Sequence, residues 1–532
     1  MRLDDLPENW DLIIIGGGIT GAGVLSVAGR MGLRVLLLER NDFAWGTSSR
    51  SSKLVHGGFR YLKEGKIHLT RASVEERERL LKEAPGLVEK LGFLLPVYQH
   101  RGLGRWALEA GFTLYDLIAL KRDHRFYDAE AFSMLDPHAD QDRLIGGFKF
   151  FDGQVDDARL VLRLINEAQL LGSHVQALNY VTVSEIKRDP SGRVSGVEAM
   201  DTESSVQKGL LSRAVINATG SWAEALHPSP DPEFHLRPLR GSHLVFPLWL
   251  MPTSLTLSFY HPADSRPMAV IPWEGALLVG TTDIDYHGDL LTEPAITPVE
   301  VSYLMEGFHD AFPYLDISLK DCLSSFAGTR PVLSRGKNDP SKESREHVVW
   351  VDNGLVTVTG GKLTTFRRLA LDALGAARPY LPSDRSKTWK GPIFSAVSSG
   401  ADGDHGISPQ AWQRLCGRHG NAAEEVIRGA APEDLEVIPG TKTLWAELPF
   451  AVRREQVHHL SDLMLRRVRI GILTPSGGAG YLNRIQDLCA PVMSWDAARW
   501  KKERDAYQDL WKSRYAPPGS KESKPLGPGF TP

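Results

Sequence analysis

A glycine pattern directly after a short apolar run constrains the fold of this chain more than any other feature. Its members are Gly16, Gly18 and Gly21. They follow an apolar strand pattern at residues 12–15 and lead into small and apolar residues at 22–31 that suit a helix packed on a sheet. The first glycine permits a tight turn, the second lets a pyrophosphate approach the backbone, and the third allows close helix–strand packing. With a second apolar run at 33–38, the pattern predicts a βαβ unit that binds a dinucleotide.

The next residues indicate which dinucleotide is bound. Glu39 ends the second predicted strand, at the spacing typical of an acid that hydrogen-bonds a ribose. A carboxylate there would repel the 2′-phosphate of NADP, so NADP is disfavoured. Residues 46–54 are rich in hydroxyls and small side chains, which suits a loop around a diphosphate and ribityl chain and favours FAD over NAD. From this loop we predict cofactor contacts by Thr47, Ser48, Ser49, Lys53 and Leu54.

Length and composition set wider bounds. A chain of 532 residues predicts two to four domains. The net charge of -3 gives no reason to propose nucleic acid as a partner. The three cysteines lack paired spacing, which argues against disulfides and metal sites and favours a reducing, cytoplasmic setting. Neither a secretory signal pattern nor a spanning apolar segment is found in the sequence, so we expect at most a peripheral membrane association.

The organisation along the chain predicts an α/β protein with several domains. Residues 8–230 should form the first part of an FAD-binding Rossmann-type domain, with an inserted helical segment at about 73–150. A mainly antiparallel substrate-binding domain is predicted at 231–350, and 351–385 should close the FAD-binding domain. A C-terminal α-helical domain is predicted at 408–515 and a disordered tail at 516–532.

Ten further motifs, in order along about 500 residues, resemble those of the FAD-dependent, quinone-linked glycerol-3-phosphate dehydrogenases. They are SSRSSKLVHGGFRYL (48–62), VDDARLVL (155–162), NATGSW (217–222), RGSHLV (240–245), IPW (271–273), GTTD (280–283), GTRP (328–331), TGGKLTTF (359–366), LCGRHGNAAEEVI (415–427) and FAVRREQVHHLSDLMLRRVRIG (450–471).

The resemblance implies a fold of the glutathione-reductase or D-amino-acid-oxidase kind and a reaction. The expected reaction oxidises sn-glycerol 3-phosphate to dihydroxyacetone phosphate by hydride transfer to FAD. The electrons would pass to a membrane quinone, from an enzyme held peripherally at the cytoplasmic face of the cell membrane. A homodimer is also expected on this ground. The rival predictions are an oxygen-using oxidase, an FAD amine or amino-acid oxidase, and a flavin-binding subunit without turnover.

The chemistry of this substrate indicates candidate residues within the motifs. A phosphate carries about two negative charges, so its pocket needs cations, and Arg60 and Arg330 offer planar guanidinium forks. Tyr61 is a further substrate-binding candidate. Alcohol oxidation also needs a proton acceptor, for which His56 and His243 both remain candidates.

Lys362 completes the predicted site, as a group that holds the substrate oxygen or the charge of the reduced flavin. The remaining predicted cofactor contacts are Val181, Thr219, Gly220, Gly361, Leu363 and Thr364.

Residues 101–122 have the composition of an interfacial helix, with aromatic and aliphatic side chains between basic ends. The alternative for this segment is a helix packed on the main body. The basic pairs at 453–454 and 466–467 are weaker candidates for contact with lipid headgroups, and a solvated face is their alternative.

Overall fold

The computed structural model describes residues 2–59, 65, 67–100, 102–227, 235–334, 346–385, 389–397 and 405–519. Its strands are β1 (Asn9–Ile15), β2 (Val35–Leu38), β3 (Leu54–Val55), β4 (Val88–Tyr98), β5 (Arg125–Asp128), β6 (Leu144–Val155), β7 (Val175–Leu178), β8 (Val181–Arg188), β9 (Val194–Asp201), β10 (Gln207–Asn217), β11 (His235–Pro247), β12 (Leu255–Tyr260), β13 (Pro267–Trp273), β14 (Ala276–Gly280), β15 (Ile284–Asp285), β16 (Ser324–Ser334), β17 (His347–Asp352) and β18 (Leu355–Gly360).

The helices connect and cover two sheets. They are α1 (Ile19–Arg30), α2 (Ile67–Glu83), α3 (Arg105–Ala119), α4 (Ala129–Leu135), α5 (Asp157–Gln169), α6 (Ala223–Leu226), α7 (Pro298–Ala311), α8 (Phe366–Ala377), α9 (Pro409–His419), α10 (Ala423–Ile427), α11 (Glu447–Arg454), α12 (Leu460–Asp462), α13 (Ile470–Leu473), α14 (Leu482–Met493) and α15 (Ala497–Arg514). None of the helices in these ranges is long and apolar enough to cross a bilayer.

The first sheet carries the predicted βαβ unit. Its central order is β17-β18-β10-β1-β2-β7, in which β18, β10, β1, β2 and β7 run parallel. β1 and β2 are buried along almost their whole length, and α1, α5 and α8 pack their apolar faces on the sheet. Asp156 caps α5 by accepting a hydrogen bond from the backbone N–H of Arg159 at 3.2 Å, as the acidic start of this helix predicts. The α/β prediction is confirmed.

The second sheet is larger than the sequence predicts. Its order is β15-β11-β14-β13-β12-β4-β6-β3, with β16 on β11 and β5 on β6, and every pair is antiparallel except β12 with β4. The predicted strands after residue 235 therefore join four strands from residues 54–155. β17, predicted within the substrate-binding domain, pairs instead with β18 of the first sheet.

The prediction that residues 73–150 are helical is wrong for much of that segment. α2 ends at Glu83, and the apolar run that follows forms β4, which pairs with β6 along its length. The charge-rich pattern of α2 extends to Lys90 in the sequence, but Val88 already belongs to β4. The apolar side chains at 91–97 of this strand are buried in hydrophobic clusters on the faces of the second sheet.

The C-terminal helices contact both sheets through buried charges. Asp42, at the end of the first βαβ unit, accepts hydrogen bonds from Arg467 at 2.7 and 2.8 Å and another from Arg466. Arg159 of α5 is paired with Glu455, and Arg418 of α9 with Asp156. All of these side chains are buried. The prediction of lipid contact by Arg466 and Arg467 is therefore wrong.

The segment after the last helix is also anchored. The backbone oxygen of Tyr515 accepts a hydrogen bond from the Ser325 N–H at 2.7 Å, which ties it to β16. Its phenol donates to Glu293 at 2.6 Å and accepts from Arg50 at 3.2 Å. Tyr515 thus joins three parts of the chain that are distant in sequence.

Candidate active site

A cavity of about 590 Å³ lies at the carboxyl ends of the parallel strands of the first sheet. Ile15 ends β1, Leu38 ends β2 and Gly360 ends β18, and all three line the cavity. In parallel α/β sheets this edge collects the loops that bind ligands, because each strand turns there toward a helix. The wall on the opposite side comes from the second sheet, which contributes Arg330 and Val332 of β16.

Most of the predicted site residues line this cavity. They are Gly16, Gly18, Glu39, Thr47, Ser48, Leu54, His56, Val181, Thr219, Gly220, Arg330, Gly361, Lys362, Leu363 and Thr364. Four others lie behind its wall, namely Gly21, Ser49, Lys53 and His243. Arg60 and Tyr61 lie outside the described residues.

The glycine turn has the close backbone contacts that its pattern predicts. Gly16 has φ +110°, and a Cβ there would be 2.7 Å from the carbonyl oxygen of Ala218. A Cβ at Gly21 would be 1.9 Å from the carbonyl oxygen of Gly16, so the helix packs directly on the turn. Gly18 is the N-cap of α1, and the next backbone N–H, of Ile19, donates to the Ser48 hydroxyl at 2.9 Å. A positive helix end therefore meets a neutral hydroxyl at the cavity wall.

Glu39 is held by the turn itself. Its carboxylate accepts hydrogen bonds from the backbone N–H of Gly17 at 2.6 Å and of Asn41 at 2.8 Å. Burial raises the pKa of Glu39, and these two hydrogen bonds oppose that effect. Its position at the end of β2 is the one at which a ribose-binding acid is expected in this kind of fold.

The ammonium of Lys53, a predicted cofactor contact, lies in a buried ion pair behind the cavity wall. Its ammonium lies 2.8 Å from both carboxylate oxygens of Asp157 and donates to the Ser49 backbone oxygen at 2.7 Å. Burial lowers the pKa of Lys53 to about 8, although Asp157 opposes the shift. Asp157 also accepts from the N–H and the hydroxyl of Ser51 at 2.9 and 2.7 Å. This ion pair therefore supports the hydroxyl-rich loop from behind.

Arg330 presents its guanidinium at the cavity wall. It donates to the Asp283 carboxylate at 2.9 Å, to the Thr282 backbone oxygen at 3.2 Å and to the Thr281 hydroxyl at 3.0 Å. The neighbouring strand β11 has a glycine, Gly241, next to this guanidinium. A side chain there would clash, since its Cβ would lie 2.3 Å from Nη2 of Arg330. These contacts orient the fork while leaving the side chain partly exposed.

The other candidates for chemistry lie nearby. The Lys362 ammonium donates to the Ser73 hydroxyl of α2 at 2.8 Å. The backbone oxygen of His56 accepts a hydrogen bond from the Thr364 hydroxyl at 3.4 Å, which ties the His56 segment to the start of α8. His243 is buried, and its Nε2 lies 2.9 Å from the Ser52 hydroxyl.

Many residues of the wall lie outside the predicted site residues, and Ser52, Trp222 and Leu290 illustrate why. Ser52 belongs to the predicted hydroxyl-rich loop, yet nothing in the pattern distinguishes it from its neighbours. Trp222 follows the predicted Thr219–Gly220 turn and belongs to the motif NATGSW, which is the signal that indicates it. Leu290 comes from a loop of the second sheet that has no periodic pattern, so only the fold brings it to the cavity.

Comparisons with known proteins agree with this geometry. Residues 11–367 match the family model described as FAD dependent oxidoreductase, and residues 375–500 match the C-terminal domain of alpha-glycerophosphate oxidase. The chain is 34% identical over 520 residues to glycerol-3-phosphate dehydrogenase 2 of Mycobacterium tuberculosis, which covers 93% of this chain and 87% of the relative. It is 31% identical over 542 residues to a glycerol-3-phosphate dehydrogenase of Synechocystis, with 96% and 97% covered.

The solved structures extend the likeness to three dimensions. The glycerol-3-phosphate dehydrogenase from Bacillus halodurans, complexed with FAD, has a TM-score of 0.73 and 25% identity, over 94% of this chain and 95% of that chain. The L-alpha-glycerophosphate oxidase from Mycoplasma pneumoniae, with FAD bound, has a TM-score of 0.59 at 20% identity over 73% of this chain and 99% of that chain, which supports the fold alone.

Proposed function

We propose a reaction for this chain, which belongs to the FAD-dependent glycerol-3-phosphate dehydrogenase family: it oxidises sn-glycerol 3-phosphate to dihydroxyacetone phosphate and passes the electrons to a membrane quinone. The chain is an oxidoreductase and its cofactor is FAD. The observation that carries the proposal is one cavity that combines a dinucleotide-binding turn with the guanidinium of Arg330 and the ammonium of Lys362.

The described residues suit FAD. The bare backbone at Gly16 and Gly18 gives room for a pyrophosphate at the positive end of α1, and Glu39 is placed for a ribose. Gly360 and Gly361, with φ +79° and +73°, turn the chain from β18 toward α8 and bring further backbone to the wall. When bound, FAD accepts the hydride that leaves the substrate carbon.

The substrate phosphate supplies the reason for the cations. Arg330 would bind it through the planar fork, which matches two phosphate oxygens better than an ammonium does. Asp283 and Thr281 keep that fork in one orientation before the substrate arrives. Arg60 and Tyr61 are proposed as further contacts on the resemblance alone, and Lys362 as a cation near the reacting oxygen.

The proton of the substrate hydroxyl needs an acceptor in the same region. His56 lies in the wall, and His243 lies behind it in contact with the Ser52 hydroxyl. Burial, followed by the charges of Arg330 and Lys53, holds the pKa of His243 well below 6.5. The imidazole is therefore neutral at physiological pH, which is the state that a proton acceptor requires.

The proposed membrane contact is the outer face of α3. Leu108, Phe112 and Tyr115 point inward and are buried, whereas Trp106 and Leu117 point outward. Leu120, 93% exposed, follows the helix and precedes Lys121 and Arg122. An apolar outer face with basic residues at its end suits a helix that lies in a bilayer surface containing anionic lipid. We place this surface at the cytoplasmic face of the cell membrane, and propose a homodimer on the family resemblance.

The substrate is tested by an anaerobic absorption spectrum of the FAD-saturated protein, recorded before and after glycerol 3-phosphate is added. Loss of the oxidised flavin band is expected with glycerol 3-phosphate and with neither glycerol nor amino acids. Reduction by an amino acid instead would favour the amine-oxidase alternative. Absence of reduction by every candidate would reject the proposed reaction.

The electron acceptor is tested on the reduced protein. A soluble quinone analogue should reoxidise the flavin faster than oxygen does. Faster reoxidation by oxygen, with release of hydrogen peroxide, would favour the oxidase alternative.

The membrane contact is tested with a matched pair of tryptophans. Trp106 and Trp249 are both 75% exposed, but only Trp106 lies on α3. Trp106→Ser should weaken binding to vesicles of anionic and zwitterionic lipid several-fold, whereas Trp249→Ser should bind as the wild type does. Equal binding by both variants would place the contact elsewhere.

A further inference from the structure

The Ser52 hydroxyl lies between the cavity and a buried histidine. Ser52 lines the cavity, and its Oγ is 2.9 Å from Nε2 of His243, which does not line it. The imidazole is fixed from two sides. It lies over Gly280, where a Cβ would be 2.3 Å from Cδ2, and it stacks on Phe326 with ring centroids 4.8 Å apart. Ser52 is therefore placed to connect this imidazole with a molecule in the cavity.

Two cations, each paired with a carboxylate, affect the protonation of His243. Arg330 lies on β16 beside it, paired with Asp283, and Lys53 lies behind the loop, paired with Asp157. Both cations disfavour a proton on the imidazole, in addition to the larger effect of burial. Among the described residues, Nδ1 of His243 has no hydrogen-bond partner, so the Ser52 hydroxyl is the polar group that meets the ring.

We propose that Ser52 relays the proton of the substrate hydroxyl to His243. Before the reaction, the neutral imidazole of His243 carries its proton on Nδ1, so Nε2 is free to accept one. The hydroxyl proton of the substrate then passes to Oγ of Ser52, while the proton of Ser52 passes to Nε2. FAD, when bound, would accept the hydride of the same carbon, and a carbonyl group would form. The products are the ketone, an imidazolium and the reduced cofactor, so that protons and electrons balance. The inference rests on the proposed function and assigns the proton step within it.

The substrate would itself strengthen the acceptor. A phosphate dianion bound by Arg330 offsets the positive charge that disfavours protonation of His243. The imidazole then accepts a proton more readily in the complex than in the free protein. A direct transfer to His56 would leave the Ser52–His243 contact without a part in the reaction, and this difference makes the two proton acceptors separable.

The first test compares the pH dependence of flavin reduction by saturating glycerol 3-phosphate, measured anaerobically by rapid mixing. The wild-type rate should be independent of pH above the pKa that His243 has in the complex, because the imidazole is neutral there. Ser52→Ala should be slower by about 100-fold and should become faster with rising pH, because hydroxide must replace the relay. Ser52→Thr keeps a hydroxyl and should keep a constant rate.

The second test is a double-mutant cycle with His243→Gln. If both residues act in one step, Ser52→Ala should cause little further loss in the His243→Gln protein. Each variant is used only after its flavin absorbance confirms full FAD content. Independent, multiplied losses would overturn the relay, and so would a Ser52→Ala rate that is lower by the same factor at every pH.

The outcomes separate the relay from the reaction itself. A wild-type protein that glycerol 3-phosphate does not reduce would overturn the proposed function, and the relay with it. A different set of results would overturn only the relay and assign the proton to His56. In that case glycerol 3-phosphate reduces the wild type, the rate of Ser52→Ala does not vary with pH, and the rate of His56→Gln gains a pH dependence.

Discussion

The cavity wall and the interface with the C-terminal helices use opposite means to place polar groups inside the protein. The wall near the glycine turn consists of bare backbone, neutral hydroxyls and a carboxylate held by backbone N–H groups, as at Gly16, Ser48 and Glu39. The interface consists of paired charges, as between Asp42 and Arg467 and between Arg159 and Glu455.

The difference follows from what each region meets. FAD brings its own phosphate charges, so a wall of dipoles and helix ends can bind them without a fixed countercharge. The interface meets only protein, and each buried carboxylate there needs a cation from another part of the chain, since an unpaired buried charge is very unfavourable. The wall is therefore specialised for a ligand, and the interface for holding the C-terminal helices in place.

The largest expected effect comes from breaking the interface. Asp42→Ala leaves Arg466 and Arg467 buried without their shared carboxylate and should lower the free energy of unfolding by about 3–5 kcal/mol. Denaturant unfolding followed by circular dichroism measures this. Glu424→Ala, which removes an exposed pair with Arg428, serves as the control and should not change the midpoint. Equal midpoints for both variants would show that the buried pair does not hold the interface.

A change in the wall should remove the cofactor and spare the fold. Gly18 has φ −81°, which valine tolerates, so Gly18→Val should fold while its side chain blocks the approach of the pyrophosphate. We expect FAD affinity to fall by about 100-fold or more, equivalent to roughly 2.7 kcal/mol. Flavin absorbance after gel filtration and titration of the apoprotein measure this. Gly375→Val, in open space on α8, is the matched control. A yellow Gly18→Val protein with normal affinity would contradict the placement.

Arg330 combines features of both regions, because it lies in the cavity wall and is paired with Asp283. Arg330→Ala should raise the apparent KM for glycerol 3-phosphate tenfold or more, since an arginine–phosphate contact contributes about 1.5–3 kcal/mol. Some thermal stability should be lost as well, because the Asp283 carboxylate, whose side chain is only 9% exposed, loses the Arg330 cation. The control is Arg188→Ala. Arg188 lies in the first sheet, is 32% exposed and pairs with Asp352, and its loss should leave KM unchanged. An unaltered KM in the Arg330 variant would remove the phosphate-binding role.

The smallest expected effect is a pH dependence of the interface. Burial disfavours the charge on Asp42, but Arg467 and Arg466 outweigh it and lower its pKa to about 2 from 3.8. A carboxyl whose pKa is lowered on folding stabilises the protein above its ordinary pKa, and this contribution is lost as the pH falls toward 2. We expect about 2 kcal/mol of unfolding free energy to disappear in this window. Asp42→Asn should show a shallower decline, and an identical decline would assign the acid sensitivity to other carboxylates.

The difference between the cavity wall and the interface with the C-terminal helices also explains which features could be predicted from the sequence. The wall was predictable because its signals are local: Gly16, Gly18 and Gly21 act through backbone shape, and Thr219–Gly220 follows a recognisable apolar strand. The interface was not, because a basic pair such as Arg466–Arg467 has the same local pattern on a solvated face and in a buried ion pair. Only its partner distinguishes the two, and Asp42 lies more than four hundred positions away.

Two other differences have the same cause. Lys53 lies in a loop that the sequence correctly associates with the cavity, yet its ammonium turns away toward Asp157 of α5. Pro85 and Gly86 mark a turn between α2 and β4, but the charge-rich pattern continues past them to Lys90, and the place of β4 in the second sheet depends on strands up to residue 260. Fold class and the residues of the glycine turn follow from local sequence, whereas side-chain direction and sheet membership follow from distant contacts.

The attachment of Tyr515 has a consequence for how the protein is made. Arg50, Glu293 and Ser325 are synthesised long before Tyr515, so their contacts with Tyr515 form only after it has left the ribosome. Until then, Arg50 and Glu293 lack the phenol with which they form hydrogen bonds in the folded protein. A transcript truncated before the codon for Tyr515 would yield a polypeptide that carries every motif of the nucleotide site but lacks these three contacts.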